Sequence, residues 1–264
     1  QKTLLIFPSS GGEGQGGGSP ERAESCGILH YQRGTIMIDP LHQYNWINLY
    51  EDYDHLADSH KFKSQSPVYL SFISPPPQSD RILYYQILRR VDDERRNNKL
   101  MTVNTYLAIL YWKLQSTSLK VPFEIRNNKN AIQSILERQL LRLPQFSVVI
   151  PQDTDQIISA LIDLKNLKLY GTQCGYATAT TVLHFLYPES VPIIDINVLQ
   201  ALGYSHEQAK KTIKNIHTYE SLLPIHWGLG RRYEKHFTSF PESSVRLIDM
   251  ALWVIRGKGS PWVV

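Results

Sequence analysis

Residues 170–204, YGTQCGYATATTVLHFLYPESVPIIDINVLQALGY, spell a turn, a helix, a short loop and a second helix. Gly171 and Gly175 bracket a polar turn, where glycine supplies the positive φ that a tight reversal demands. Ala179, Val182, Leu183 and Leu186 then recur at helical spacing, which predicts a helix over 177–187, and Pro188 stops it. The apolar run Val191, Pro192, Ile193, Ile194 leads up to Asp195, and Val198, Leu199, Ala201 and Leu202 follow as a second amphipathic helix. Asp195 stands at the N-cap position of that helix.

An aspartate there has two readings. One is a capping residue that accepts hydrogen bonds from the first turn of its helix, as Asp commonly does. The other begins with the apolar run before it, which puts the carboxylate at the edge of a core, where the positive end of the helix keeps it ionised. A fixed anion of that kind stabilises a developing cation or orients a water. Spacing alone favours the cap.

The order of Gly turn, Thr-Ala helix, Pro, apolar run, Asp, Val and Leu resembles the helix-hairpin-helix DNA glycosylases, in particular the branch likened to 8-oxoguanine glycosylases. Gly175-Tyr176-Ala177-Thr178-Ala179 matches the end of the family's hairpin and the start of its second helix. Pro192 to Val198 matches the segment that presents the catalytic aspartate, with one more residue between Pro and Asp. The likeness is close over the stretch quoted above and loose over the rest of the C-terminal half. It implies a catalytic Asp195 and a hairpin, Gly171, Thr172, Gln173, Gly175, Tyr176, Ala177 and Thr178, that holds DNA phosphates through backbone N–H groups. Lys168, just before the turn, is a phosphate contact on this reading or else a solvated side chain. Two departures stand out. The turn is longer than the family's, and the position of the lysine that forms a Schiff base in bifunctional members is Ala177 here. The resemblance therefore implies a hydrolytic enzyme without lyase chemistry.

A fainter likeness lies at 110–117, LYWKLQST, where the family places a polar side chain in the duplex or beside the base pocket. Gln115 carries that role over, and Trp112 and Tyr111 are candidates to stack on an extruded base. Aromatics on so apolar a helix also pack in cores, and that reading stands beside the first.

The 264 residues, 42% hydrophobic and 20% charged, have an ordinary globular balance, and a net charge of +4 permits nucleic-acid binding without arguing for it. No apolar run reaches the roughly 18 residues of a membrane helix, and no secretion signal is evident. Cys26 and Cys174 make neither a disulfide framework nor a metal set. The default is a reducing intracellular compartment, cytoplasmic and nucleoid-associated if the source is bacterial. The Gly-rich segment 9–20 lacks the ending and spacing of a nucleotide loop and reads as flexible. Short strands are expected over 26–38 and an aromatic helix over 40–56. The Pro75-Pro76-Pro77 run is a boundary candidate, and Asp80 is expected to cap a helix over 81–96. Further helices are expected over 102–114, 128–141, 153–167, 205–216 and 241–255, with 219–240 irregular. Lys210, Lys211 and Lys214 form a basic face, suited to phosphate or to solvent.

The expected architecture is mainly α. A small mixed α/β N-terminal part over 1–79 precedes a helix-hairpin-helix glycosylase-like core over 80–264. The expected function is a monofunctional DNA glycosylase that hydrolyses the N-glycosidic bond of a flipped damaged or modified base, in repair or against foreign DNA. It would act as a monomer on double-stranded DNA, without metal or organic cofactor. The alternative is a helix-hairpin-helix module that binds DNA without catalysis.

Overall fold

A computed structural model of the chain describes residues 28–31, 35–61, 79–97, 101–114, 133, 154–166 and 175–257. The chain divides into two compact units, Gln1–Tyr44 and Asn45–Val264. In the first, β1 (Ile28–Tyr31) and β2 (Thr35–Ile38) pair antiparallel, with Ile28 opposite Ile38 and Tyr31 opposite Thr35.

Among the described residues of the second unit the regular elements are all helices. Its helices are α1 (Trp46–Lys61), α2 (Asp80–Arg96), α3 (Val103–Leu114), α4 (Thr154–Asn166), α5 (Tyr176–Leu186), α6 (Ile196–Ala201), α7 (His206–Thr212), α8 (Ile216–Tyr233) and α9 (Ser244–Gly257). The last, α9, is the hub. It packs on α1, α6 and α8, and it buries Val245, Leu247, Ile248, Ala251, Leu252, Val254 and Ile255. A second layer forms where α5 packs on α3 and α4, and α2 lies on α3 and α5. Nearly every side chain of α3 from Thr105 to Trp112 is buried, so this helix has no solvent face until its last turn.

Three expectations are corrected here. The helical unit begins at Asn45 rather than Asp80, because α1 spends its aromatic face on the C-terminal helices. Trp46 meets Tyr233 and Phe237 at 5.0 and 4.8 Å, Tyr50 meets Phe240 at 4.6 Å, and Tyr53 meets Trp253 at 5.6 Å. The cap of α2 is Ser79, whose Oγ accepts from the Ile82 N–H, while Asp80 is the first helical residue and is fully buried. Finally, 219–233 is no irregular segment but the greater part of α8, which runs through Pro224, Gly228 and Gly230. Proline and glycine disfavour a helix by lost bonding and entropy. Burial of Leu222, Leu223, Ile225, Trp227 and Leu229 outweighs that cost. The expected helix over 128–141, the segment 143–150, the Gly-rich stretch and the proline run lie outside the described residues.

Candidate active site

The site is built from α5 outward. Helix α5 opens on Gly175, which offers no side-chain cap, and it is buried on all sides from Ala179 to Leu186. Two of its hydroxyls turn inward. Thr181 donates to the Ala177 carbonyl at 2.9 Å, and Thr180, also hydrogen-bonded there, accepts from the Ile194 N–H at 3.2 Å. Thr180 therefore fixes the backbone one residue before Asp195.

Three further side chains fasten the same loop. His184 faces the Val191 carbonyl with Nδ1 at 2.7 Å and the Tyr84 hydroxyl with Nε2 at 2.7 Å. A carbonyl only accepts, so Nδ1 carries the proton and Nε2 accepts from Tyr84. Burial drives the His184 pKa down to about 3, which keeps this neutral form in place. Trp227 donates from Nε1 to the Ser190 carbonyl at 2.8 Å, and Ser243 donates to the Pro188 carbonyl at 2.8 Å. The loop over 188–194 is thus held through its backbone by α5, α8 and the residue before α9. Its apolar side chains Val191, Ile193 and Ile194 are buried.

Asp195 emerges from this rigid base as the N-cap of α6. Its Oδ1 accepts from the Asn197 N–H at 2.8 Å and the Val198 N–H at 3.1 Å. The far end of α6 is equally fixed. Gly203, at φ 94°, donates to Gln200 O, and Tyr204 donates to Leu199 O, a Schellman closure that a positive φ makes possible. The second carboxylate oxygen points elsewhere. Oδ2 lies 2.5 Å from Nζ of Lys113 at the end of α3. Burial alone would raise the Asp195 pKa. The Lys113 charge and hydrogen bond, with the two backbone N–H groups, outweigh it and hold the carboxyl below its ordinary value. Both side chains keep an opening to solvent, 16% exposed for Lys113 and 14% for Asp195. Arg256 of α9 donates to the Asn197 side chain and so braces the first turn of α6 from the other side.

The capping role expected of Asp195 is real, and the pairing with Lys113 comes in addition to it. Lys113 was missed because its partner is 82 residues away. One signal was available: it is the lone charge in the apolar run TVNTYLAILYWKL. Of the expected phosphate contacts, Gly175, Ala177 and Thr178 lie at the open start of α5, with Gly175 exposed. Tyr176 shares that start with its backbone. Its ring is buried against Tyr219 at 5.3 Å and beneath Lys165 Nζ at 4.2 Å, so its side chain belongs to the core. Trp112 and Tyr111 are corrected as stacking surfaces. Both are buried, Trp112 between Phe185 at 5.2 Å, Tyr84 at 5.7 Å and the Arg246 guanidinium at 5.1 Å. Gln115, Lys168, Gly171, Thr172 and Gln173 lie outside the described residues.

Behind the pair sits a second charged group. Arg246 donates to Asp249 through Nη1 and to the Tyr53 hydroxyl through Nη2 at 2.6 Å. Tyr53 in turn donates to Asp80 at 2.6 Å. Burial pushes the Asp249 carboxyl up to about 6 in spite of the Arg246 charge. Among the described residues no cluster of His, Cys, Asp and Glu could hold a metal ion, and no helix is long and apolar enough to cross a membrane. No family model, curated protein or solved structure matches the chain.

Proposed function

We propose that the chain is a DNA N-glycosylase of helix-hairpin-helix type, with Asp195 as its catalytic carboxylate. The observation that carries this reading is the mounting of Asp195. One oxygen is immobilised by the start of α6, the backbone before it is pinned by Thr180, and the group stays ionised with an opening to solvent. An anion held so firmly reorganises little as positive charge grows on a neighbouring sugar, and this is the condition for electrostatic catalysis. As the C1′–N bond breaks, the sugar takes on that charge, and Asp195 stabilises it and orients the water that attacks C1′. A base inside a duplex is out of reach, so the target nucleotide must be turned out of the stack. The start of α5, about one turn from Thr180, turns a positive helix end toward phosphate.

The test is release of free base from duplexes that carry damaged or modified bases, scored as alkali-labile abasic sites. Wild type is expected to release one of them, and Asp195→Asn to lose about 10²–10³-fold in rate, the usual effect of removing a preorganised charge-stabilising group. The second reading is a DNA-binding module without catalysis, and the completed N-cap of α6 favours it, since a cap explains an aspartate by itself. It predicts no release from any duplex, with equal DNA binding by both proteins and a steep salt dependence of that binding.

A further inference from the structure

We propose that Arg256, in the last turn of α9, binds a backbone phosphate of the nucleotide presented to Asp195, at a place separate from the start of α5. The inference rests on the reading above for its ligand, duplex DNA. It begins with an imbalance of charge. Arg81, Arg90 and Arg246 each meet a carboxylate, that of Asp54, Glu94 and Asp249 in turn. Half-buried Arg256 has no carboxylate partner among the described residues. Its head is nevertheless held at two points. Nη1 donates to the Asn197 side-chain oxygen, and Cζ lies over the Trp253 ring at 5.4 Å. Trp253 is itself steadied by the Tyr53 ring of α1 at 5.6 Å. An amide oxygen and an aromatic face orient the guanidinium without neutralising it. A planar fork that is already fixed loses less rotamer entropy when it takes up an anion.

The position of the group identifies the anion. Asn197 receives Arg256 on its side chain and donates its backbone N–H to Asp195 Oδ1 at 2.8 Å. Carboxylate and guanidinium therefore attend the same first turn of α6. A nucleotide whose C1′ faces Asp195 carries a phosphodiester on each side of its sugar. Phosphate is a group that the guanidinium fork matches with two parallel hydrogen bonds. The cation also offsets the repulsion between that phosphate and the Asp195 carboxylate, which a neutral side chain would not do.

The experiment needs no knowledge of the excised base. The probe is a duplex with one tetrahydrofuran abasic analogue, alongside duplexes in which an uncharged methylphosphonate replaces each flanking phosphate in turn. Binding of the full chain is measured over a salt series for wild type, Arg256→Gln and Arg256→Lys. Gln keeps a donor for Asn197 and loses the charge, so the first turn of α6 stays braced while the phosphate contact goes. Arg256→Gln is expected to bind the all-phosphate duplex at least about tenfold more weakly. Its salt slope should fall by about 0.9, the amount for one phosphate, and Arg256→Lys should keep the wild-type slope. One methylphosphonate is expected to weaken wild type by a similar factor and Arg256→Gln by less than about twofold, because the two changes remove the same contact. Unchanged affinity in Arg256→Gln, or an equal effect of every linkage on both proteins, would overturn the proposal. Base release by wild type with no such coupling at any linkage would remove this inference and leave the glycosylase reading. Coupling at one linkage with no base released from any duplex would keep the phosphate site and remove the catalytic reading, and no binding of the duplex by wild type would end both.

Discussion

Two charged groups lie in the same helical unit and solve opposite problems. Around Arg246 everything is closed. The side chains of Arg246, Asp80 and Asp249 are 3%, 0% and 9% exposed, and each charge finds its partners within the protein. The Lys113–Asp195 pair is simpler and more open, with one cation, one anion and an edge in solvent. A sealed network ties α9 to α1 and α2 and can meet no ligand. The more open pair is braced as firmly from behind, yet both of its side chains keep a small exposed edge. Rigidity is common to both, and solvent access separates them.

That contrast is broken most directly at Arg246. Its replacement by Met leaves Asp80 and Asp249 buried without their cation, a change that typically costs about 3–5 kcal/mol. Arg246→Met is expected to lower stability by that amount in urea unfolding at constant slope. Lys113→Gln, which frees a carboxylate that water can reach, is expected to cost about 1 kcal/mol. Equal costs for the two variants would mean that the difference in access carries no energetic weight.

The next effect is that of pH. His184 and His226 are both buried and pushed down to about 3. In the unfolded chain their value is about 6.5, so between pH 7 and 5 the unfolded state binds more protons and stability falls, by about 2 kcal/mol for each ring. Asp249 works the other way. Its folded value of about 6 lies above the unfolded one, so the native state takes up the proton first and the loss is offset by about 1 kcal/mol. Asp195, held low, adds a further loss only below about pH 4. The expected net loss from pH 7 to 5 is about 2–3 kcal/mol. His226 has no hydrogen-bond partner on either ring nitrogen among the described residues. His226→Leu is expected to flatten this slope by one ring and to raise stability at pH 7 by about 1 kcal/mol, since it removes a buried unsatisfied polar group. Urea titrations at the two pH values read both effects.

What the sequence shows of this design divides along chain separation. The local devices were legible: the Gly-led α5, the stop at Pro188 and the cap at Asp195. Each is decided within four residues, where spacing and side-chain chemistry suffice. The partnerships were not. Tyr53 meets Arg246 across 193 residues and Tyr84 meets His184 across 100, and no local pattern distinguishes these tyrosines from ordinary core. The same limit sent Asp80 to a capping role, hid α8 behind its proline and glycines, and drew attention to Gln115 two positions beyond the lysine that faces Asp195. In the candidate site the anion was readable and the cation was not, since an N-cap is a local event and an ion pair between α3 and α6 is a product of packing.

The smallest stability effect is the most telling for function. Asn caps a helix about as well as Asp does, so Asp195→Asn keeps the bonds from Asn197 and Val198 and loses the charge and the hydrogen-bond acceptor that face Lys113. Its expected cost in urea unfolding is at most about 1 kcal/mol, the range for a pair that solvent still reaches. Asp195→Ala loses the cap as well and is expected to cost about 1 kcal/mol more. If the aspartate serves structure alone, the Asn variant should be nearly silent in every assay. If it serves catalysis, base release falls by orders of magnitude in a protein whose stability has barely moved. Asn matches Asp in shape and capping but lacks the second carboxylate oxygen, so a large loss of activity at nearly constant stability would identify the ionised carboxylate as what the reaction uses.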